Sequence, residues 1–503
     1  MRNKKLIRFI AIVLAVLLVG GVVVGALVSA LAEETPSAGG RNLVTLTMEY
    51  LEDEQALRVA QRLVYVNPSG KRLDGVVFWA AGNMFRRQSA LMYDSKDLDS
   101  VFPNGYAPAG IDLRSARCDG KPADYGFMGE DELYLRVACD LGPGQACVFE
   151  FEYYLLLMAC GAFQGVGETD VRLSAFCLVP AAYDGNTEAF ALKRPLPFTR
   201  WLDCESADYS AELWLPEGWM CAGTGVSRRV QGDGTRALWR IEAEDARDFA
   251  LSFGKRWRVY ERESASGVRV RALTNVRGAA NRVLDTAVRS VEQCEAWFGE
   301  FPVKELDIVQ SDYPLDALCF SGAIWLPEAL LGRKNAKALA RSLRFCVAQQ
   351  YFGLTAWVEP CADAWLSDSV SQYVACLLLE AEAGRDAFLS DVNRDWVSAL
   401  QQTVPGGLKV NSDAELFDPY AYDIVILRRG AVVMHELRLA MGLEGFLNGL
   451  AEFCRMGRDG GTLTEMDFVS AMDRATGGDW EAFLTDWVFN VDKYTEQTMF
   501  WYE

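Results

Sequence analysis

The sequence predicts a multidomain α+β protein: an N-terminal transmembrane helix, a large antiparallel β-sandwich or saddle-like sheet, and a mixed domain that ends in helices. Three observations carry this. A basic N-terminus precedes a long uncharged apolar run. Period-two alternation recurs between residues 42 and 256. Beyond Gly267 the apolar spacing changes to that of helices.

The N-terminus comes first. Arg2, Lys4, Lys5 and Arg8 precede an apolar run from Phe9 to Ala32, with no charge until Glu33. A helix rising ~1.5 Å per residue needs about 20 apolar residues to cross a bilayer, and this run is long enough. Basic residues before it keep a short stub, residues 1–8, cytoplasmic and place the bulk of the chain outside. Ala30-Leu31-Ala32 is also a small-x-small cleavage pattern, so 9–32 is either a single-pass anchor or a signal peptide. Its length favours the anchor. Residues 33–41, rich in small and polar side chains, read as a linker.

The remaining ~460 residues suffice for two or three domains with their own cores. Half of the chain is apolar and 12% aromatic, which is a packed body and not a disordered stalk. A net charge of −19 argues against nucleic acid or anionic head groups as partners of the whole surface. The 13 cysteines form no C-x-x-C pair, which argues against a zinc ribbon or a small disulfide scaffold. Most should be small buried apolar residues. There is a single histidine, His435, in a chain where metal binding or general-base catalysis would favour several.

Residues 42–256 read as strands. Cys147 to Tyr153 and Tyr209 to Leu215 alternate apolar with mostly polar positions, as strands with one wet face do. Gln231-Gly232-Asp233-Gly234 reads as a hairpin turn. In residues 257–503, one more strand, Val268 to Leu273, leads into an amphipathic helix from Ala279 to Phe298. Asn335 is placed to cap a second helix that runs to about Phe352, with Leu339, Leu343, Cys346, Val347 and Gln350 on one face. Thr464 and Asp467 form a capping-box start for a late helix.

The residues alone offer no catalytic constellation. There is no glycine-rich phosphate loop after a strand and no G-x-S-x-G elbow. His435-Glu436 begins a His-Glu-x-x-His pattern, but its fifth position is Leu439, so His435 reads as a surface or packing residue.

Several segments together resemble the membrane alanyl aminopeptidase family, the gluzincin zinc metallopeptidases that include aminopeptidase N. Ala207-Asp208-Tyr209 with Leu215-Pro216-Glu217-Gly218 is similar to a strand pair of that family. Asp248 to Gly254 resembles the strand that closes its β domain. Phe298-Gly299-Glu300-Phe301-Pro302 resembles the segment before its active-site strand. Gln350-Tyr351-Phe352-Gly353 resembles the Q-W-F-G after its zinc motif. Trp365-Leu366-Ser367-Asp368-Ser369 resembles W-L-N-E-G, and Leu427-Arg428-Arg429-Gly430 sits where Y-x-K-G belongs. The resemblance implies an aminopeptidase-like β domain over 42–256 and a thermolysin-like peptidase domain over 257–503, degenerate and mainly helical. The chain closes soon after Trp480 and Trp487, so the large C-terminal helical domain of many members is expected to be missing.

The family motif is His-Glu-x-x-His, eighteen residues, then Glu. Anchored on Gln350-Tyr351-Phe352-Gly353, it falls on Phe345, Cys346 and Gln349, and the third ligand position falls on Asp368 with no gap. The resemblance therefore implies zinc-ligand positions held by Phe345, Gln349 and Asp368, and a general-base position held by Cys346. The amine-recognising Glu of the family becomes Cys319. Its transition-state tyrosine becomes Leu427, with Tyr422 five residues upstream and out of register. Zinc needs several N, S or O⁻ donors at ~2.0–2.3 Å, and Phe345 offers none. The expectation is a pseudopeptidase without zinc or another cofactor, with Phe345 and Leu427 filling part of the cleft and a peptide or protein partner.

Two further readings stand beside it. Cys319, Cys346 and Asp368 could form a soft, rebuilt metal site; Asp363, ~140° away on a continuous helix, is a poor fourth ligand. The same two cysteines could instead be a disulfide or buried thiols. Alternatively, the anchored chain is the ectodomain subunit of a transporter-type membrane complex.

Overall fold

Alternation of inward and outward side chains builds the first half of the molecule. The computed structural model describes residues 41–88, 96–193, 196, 203–400, 402–404 and 407–489. The expected stub (1–8), the expected membrane segment (9–32) and nearly all of the expected linker lie outside them. Among the described residues, no helix is long and apolar enough to cross a membrane.

The strands Asn42–Leu51 and Ala207–Pro216 alternate strictly between buried and half-buried positions, and Ala146–Leu156 alternates between buried and wetter ones. They belong to an eight-stranded sheet in the order Val226–Gly232, Arg236–Ala246, Ala207–Pro216, Asn42–Leu51, Ala56–Val66, Ala146–Leu156, Gly110–Cys118 and Lys121–Pro122. The sheet is not wholly antiparallel as expected: Asn42–Leu51 and Ala207–Pro216 run parallel, Leu46 opposite Ala211. A parallel pair needs a long crossover, and here the intervening chain supplies it, building one four-stranded sheet outright and giving two strands to a second, which Met220–Gly223 and Leu251–Gly254 complete. The inner faces of these sheets enclose one core, with Phe78, Phe149 and Phe151 among its rings. The hairpin at Gln231–Gly234 is present. The Asp233 carboxylate accepts from the backbone N–H groups of Thr235 and Arg236, and Gly234 takes φ +90°.

A five-stranded mixed sheet follows, in the order Arg258–Glu263, Arg269–Thr274, Glu305–Ser311, Ala323–Pro327 and Leu318–Phe320. The helices that pack with it include α1 (Ala279–Phe298), α2 (Ala336–Gln349), α3 (Ala364–Ala383), α4 (Gly430–Met441), α5 (Leu443–Arg458) and α6 (Glu465–Thr476). The apolar stripes of α1 and α2 enter a second core that also takes Trp365, Trp396 and Phe453. The expected bounds of α1 are met residue for residue. Asn335 does sit at the N-cap position of α2, but its amide donates to the Ala329 carbonyl and caps nothing. The α-helical part of α2 ends at Gln349, and the chain continues as a π-turn over Gln350–Thr355. The capping box of α6 is complete, with Thr464 and Asp467 bonding reciprocally.

Two buried ion pairs tie the layers together. Arg172 and Asp170 have fully buried side chains and pair with each other, while Arg172 Nε donates to Ala162 O at 2.7 Å. Asp312, just past the central strand of the five-stranded sheet, accepts from the Thr169 N–H at 2.6 Å. On the same sheet, Arg271 pairs with Asp307, whose carboxylate also accepts from Gly223 N–H at 2.9 Å.

His435 is a packing residue, as expected, and a deeply buried one. It lies among Tyr373, Phe388 and Trp396, with Nδ1 3.0 Å from the Tyr373 hydroxyl. Burial, with help from Arg438 and Arg385, pushes its pKa from 6.5 down to about 3. The folded ring stays neutral while the unfolded one takes a proton below 6.5, so this stability is present above 6.5 and lost as pH falls toward 3. The expected slope is about 1.4 kcal/mol per pH unit. Urea titrations at pH 7.5 and 5 should show the wild type losing about 2 kcal/mol more than His435→Gln.

Candidate functional site

The positions singled out in the sequence are Phe345, Cys346, Gln349, Asp368, Cys319 and Leu427. Phe345, Cys346 and Gln349 occupy the last turns of α2, and Asp368 lies in the second turn of α3. Residues four apart on a helix share a face, so Phe345 and Gln349 present to the same side. Gln349 meets Asp368 directly: its Nε2 donates to Asp368 Oδ1 at 3.0 Å. Ser367 Oγ donates to the same oxygen at 3.2 Å.

Cys319 reaches α2 from the edge strand Leu318–Phe320. Its thiol donates to the Cys346 carbonyl at 3.2 Å. Gln350 fixes this edge: Nε2 donates to Cys319 Sγ and to Phe320 O, each at 3.0 Å, and Oε1 accepts from Gly322 N–H at 3.0 Å. Cys319 with Cys346, and Gln349 with Asp368, are thus two contacts on the same turns of α2. Phe345 and Leu427 are half-buried and pack against the second core.

Tyr422, out of register with the family's tyrosine position at Leu427, nevertheless reaches Asp368. The Tyr422 hydroxyl donates to Asp368 Oδ2 at 2.8 Å, although it stands five residues before Leu427. The cause is local. The chain from Asp423 to Arg429 winds as a π-helix, which adds a residue per turn and rotates everything before it relative to α4. The Ser369 hydroxyl donates to the Ile426 carbonyl at 2.7 Å within this wide turn. Gly430 allows the approach, because a Cβ there would lie 2.0 Å from Ser369 Oγ. No local pattern in the sequence announces this turn; the tyrosine itself, next to the expected register, was the available signal.

Beside Asp368 lies a small, partly open recess with room for about one water molecule, walled by Gly353, Trp357, Val358, Pro360, Ala364 and Tyr422. The face of Trp357 carries the Arg247 guanidinium, 4.6 Å from the ring centre. Two further carboxylates adjoin the lining of the recess, Asp363 next to Ala364 in the chain and Asp203 beside Trp357. Asp363, at the N-terminus of α3, is raised to about 6 by burial and then by Glu465 and Glu359. Asp203 is raised by burial and by Glu359. Among the described residues, no group of three or more His, Cys, Asp and Glu side chains could hold a metal ion.

This geometry can be set beside known proteins. No family model matches the chain. Over 247 residues it is 26% identical to aminopeptidase M1-B of Oryza sativa subsp. japonica, covering 45% of this chain and 27% of that protein. It is equally similar to aminopeptidase N of Lactococcus lactis subsp. lactis, 26% identical over 247 residues, 45% of this chain and 28% of that one. The fold matches the M1 zinc metallopeptidase from Deinococcus radiodurans with a TM-score of 0.63 over 90% of this chain and 93% of that chain, at 16% identity. The chain is a relative of the aminopeptidase N/M1 family. The matched stretch spans just over a quarter of the length of these curated M1 relatives. The M1 fold accounts for the multidomain α+β order of sheets and helices described above.

Proposed function

We propose that the chain is a membrane-anchored, extracytoplasmic pseudopeptidase of the M1 family, whose cleft binds or scaffolds a peptide or protein partner. The observation that carries this is the Gln349–Asp368 hydrogen bond. At two of the three positions corresponding to zinc ligands, Gln349 donates an amide N–H to the carboxylate at the other, Asp368. That carboxylate also accepts from Tyr422 and Ser367. The third position, Phe345, has no lone pair to offer. This donor set does not fit zinc, which needs several N, S or O⁻ atoms converging on one point.

The rest of the cleft supports the same reading. Cys346, at the general-base position, is a buried thiol. A positioned base contributes about 10²–10⁴ in rate, and here that contribution is missing with the metal. A rebuilt Cys319/Cys346/Asp368 site is less well supported, because the Cys319 thiol is turned to a carbonyl and Asp368 is engaged elsewhere. The basic stub and the apolar run 9–32 supply the membrane attachment.

The test is an aminoacyl-anilide assay on the purified full chain in detergent, with zinc supplied. Rates at the level of buffer alone are expected. Zinc-dependent turnover that a chelator abolishes would overturn the proposal.

A further inference from the structure

We propose that Cys118 and Cys147 are an oxidation site, closing a cross-strand disulfide at one end of the β-sandwich. The strands Gly110–Cys118 and Ala146–Leu156 are antiparallel neighbours, with Cys118 opposite Phe149. Opposed residues share a face, and faces repeat every second residue. Cys147 is therefore the diagonal neighbour of Cys118 on that face. The face points inward, since Phe149 and Cys147 are buried.

The strand end makes closure feasible. Diagonal neighbours in a regular ladder stand ~7–8 Å apart at Cα, just beyond the ~4.4–6.8 Å that disulfides span. Cys118 is the last residue of its strand, and Asp119 and Gly120 turn with φ of +48° and +71°. The required movement falls at this turn, which Asp119 holds to the neighbouring strand by donating its N–H to Val148 O at 2.8 Å and accepting from Val148 N–H at 2.9 Å. A third thiol, Cys139, comes from Tyr134–Leu141 in another sheet and packs against the same core. Among the described residues, no group of three or more His, Cys, Asp and Glu side chains, these thiols included, could hold a metal ion.

The reaction needs an oxidant, here a small-molecule disulfide. The half-exposed Cys118 attacks it as thiolate, forms a mixed disulfide and releases one thiol. Cys147 then attacks the Cys118 sulfur and releases the second. The protein loses two protons and two electrons, and the small disulfide takes them up to become two thiols. Burial raises the pKa of all three cysteines, Cys139 to about 11. Reaction is therefore slow at neutral pH and about tenfold faster per pH unit upward.

The experiment treats the reduced full chain with oxidised glutathione at pH 7 and 8, alkylates remaining thiols under denaturing conditions and maps peptides by mass spectrometry. The expected product joins Cys118 to Cys147, forms faster at pH 8, persists in Cys139→Ser and is lost in Cys118→Ser, where Cys147 is alkylated. A glutathione adduct left on Cys118 with Cys147 alkylated, a link through Cys139, or no linked peptide in the wild type would each overturn it.

Discussion

Combining Phe345→His, Gln349→His and Asp368→Glu is expected to turn a chain that takes up no zinc into one that holds it stoichiometrically. Positions 345 and 349 lie four residues apart on one face of α2, as two imidazole donors require. Position 368 already meets position 349 across the helices at 3.0 Å, and one added methylene extends the carboxylate toward the shared point. Phe345 is half-buried, so a smaller ring there leaves no sealed cavity. Competition with a chromogenic chelator should show affinity raised by several orders of magnitude in the triple variant and unchanged in Phe345→His alone. Hydrolysis should stay absent in both, because Cys346 cannot act as the base. A folded triple variant that takes up no zinc would mean that the spacing from Phe345 to Asp368 is not that of a zinc motif.

The largest stability effect is expected far from the cleft. Arg172→Met removes the cation from a fully buried pair with Asp170 and leaves the carbonyls of Cys160 and Ala162 without their donor. Removing one partner of such a pair costs about 3–5 kcal/mol, because the remaining charge is uncompensated. Asp170 is already raised to about 6 by burial, with Arg172 holding it down, so the variant should bind a proton on Asp170 near neutral pH. Urea denaturation at pH 7.5 should show the loss, and a smaller loss is expected in Asp170→Asn with Arg172→Met. An Arg172→Met chain as stable as wild type would mean that the pair carries no such weight.

The sequence was informative where structure is local. Alternation marked Ala146–Leu156 and Ala207–Pro216, the apolar stripe marked α1, and Thr464 with Asp467 marked the start of α6, because each signal lies within a few residues. Spacing also brought Gln349 and Asp368 together before any geometry was known. What stayed hidden depends on distant partners. The parallel pairing of Asn42–Leu51 with Ala207–Pro216 joins segments more than 150 residues apart, and no local pattern distinguishes it from a hairpin pairing. The π-turn at Asp423–Arg429 depends on the Ser369 hydroxyl and on close helix packing at Gly430, both tertiary. That turn is why Tyr422, and not the residue at 427, reaches Asp368. Arg172 and Asp170 carry no sequence mark at all, since charged residues in a strand normally read as a wet face.

The most direct test of the account is the zinc content of the wild-type chain. The purified protein is saturated with zinc, freed of excess by gel filtration and measured by atomic emission. No bound metal is expected above a bovine albumin control stripped by chelator. One zinc per chain, released when Asp368→Ala or Gln349→Ala is introduced, would contradict it.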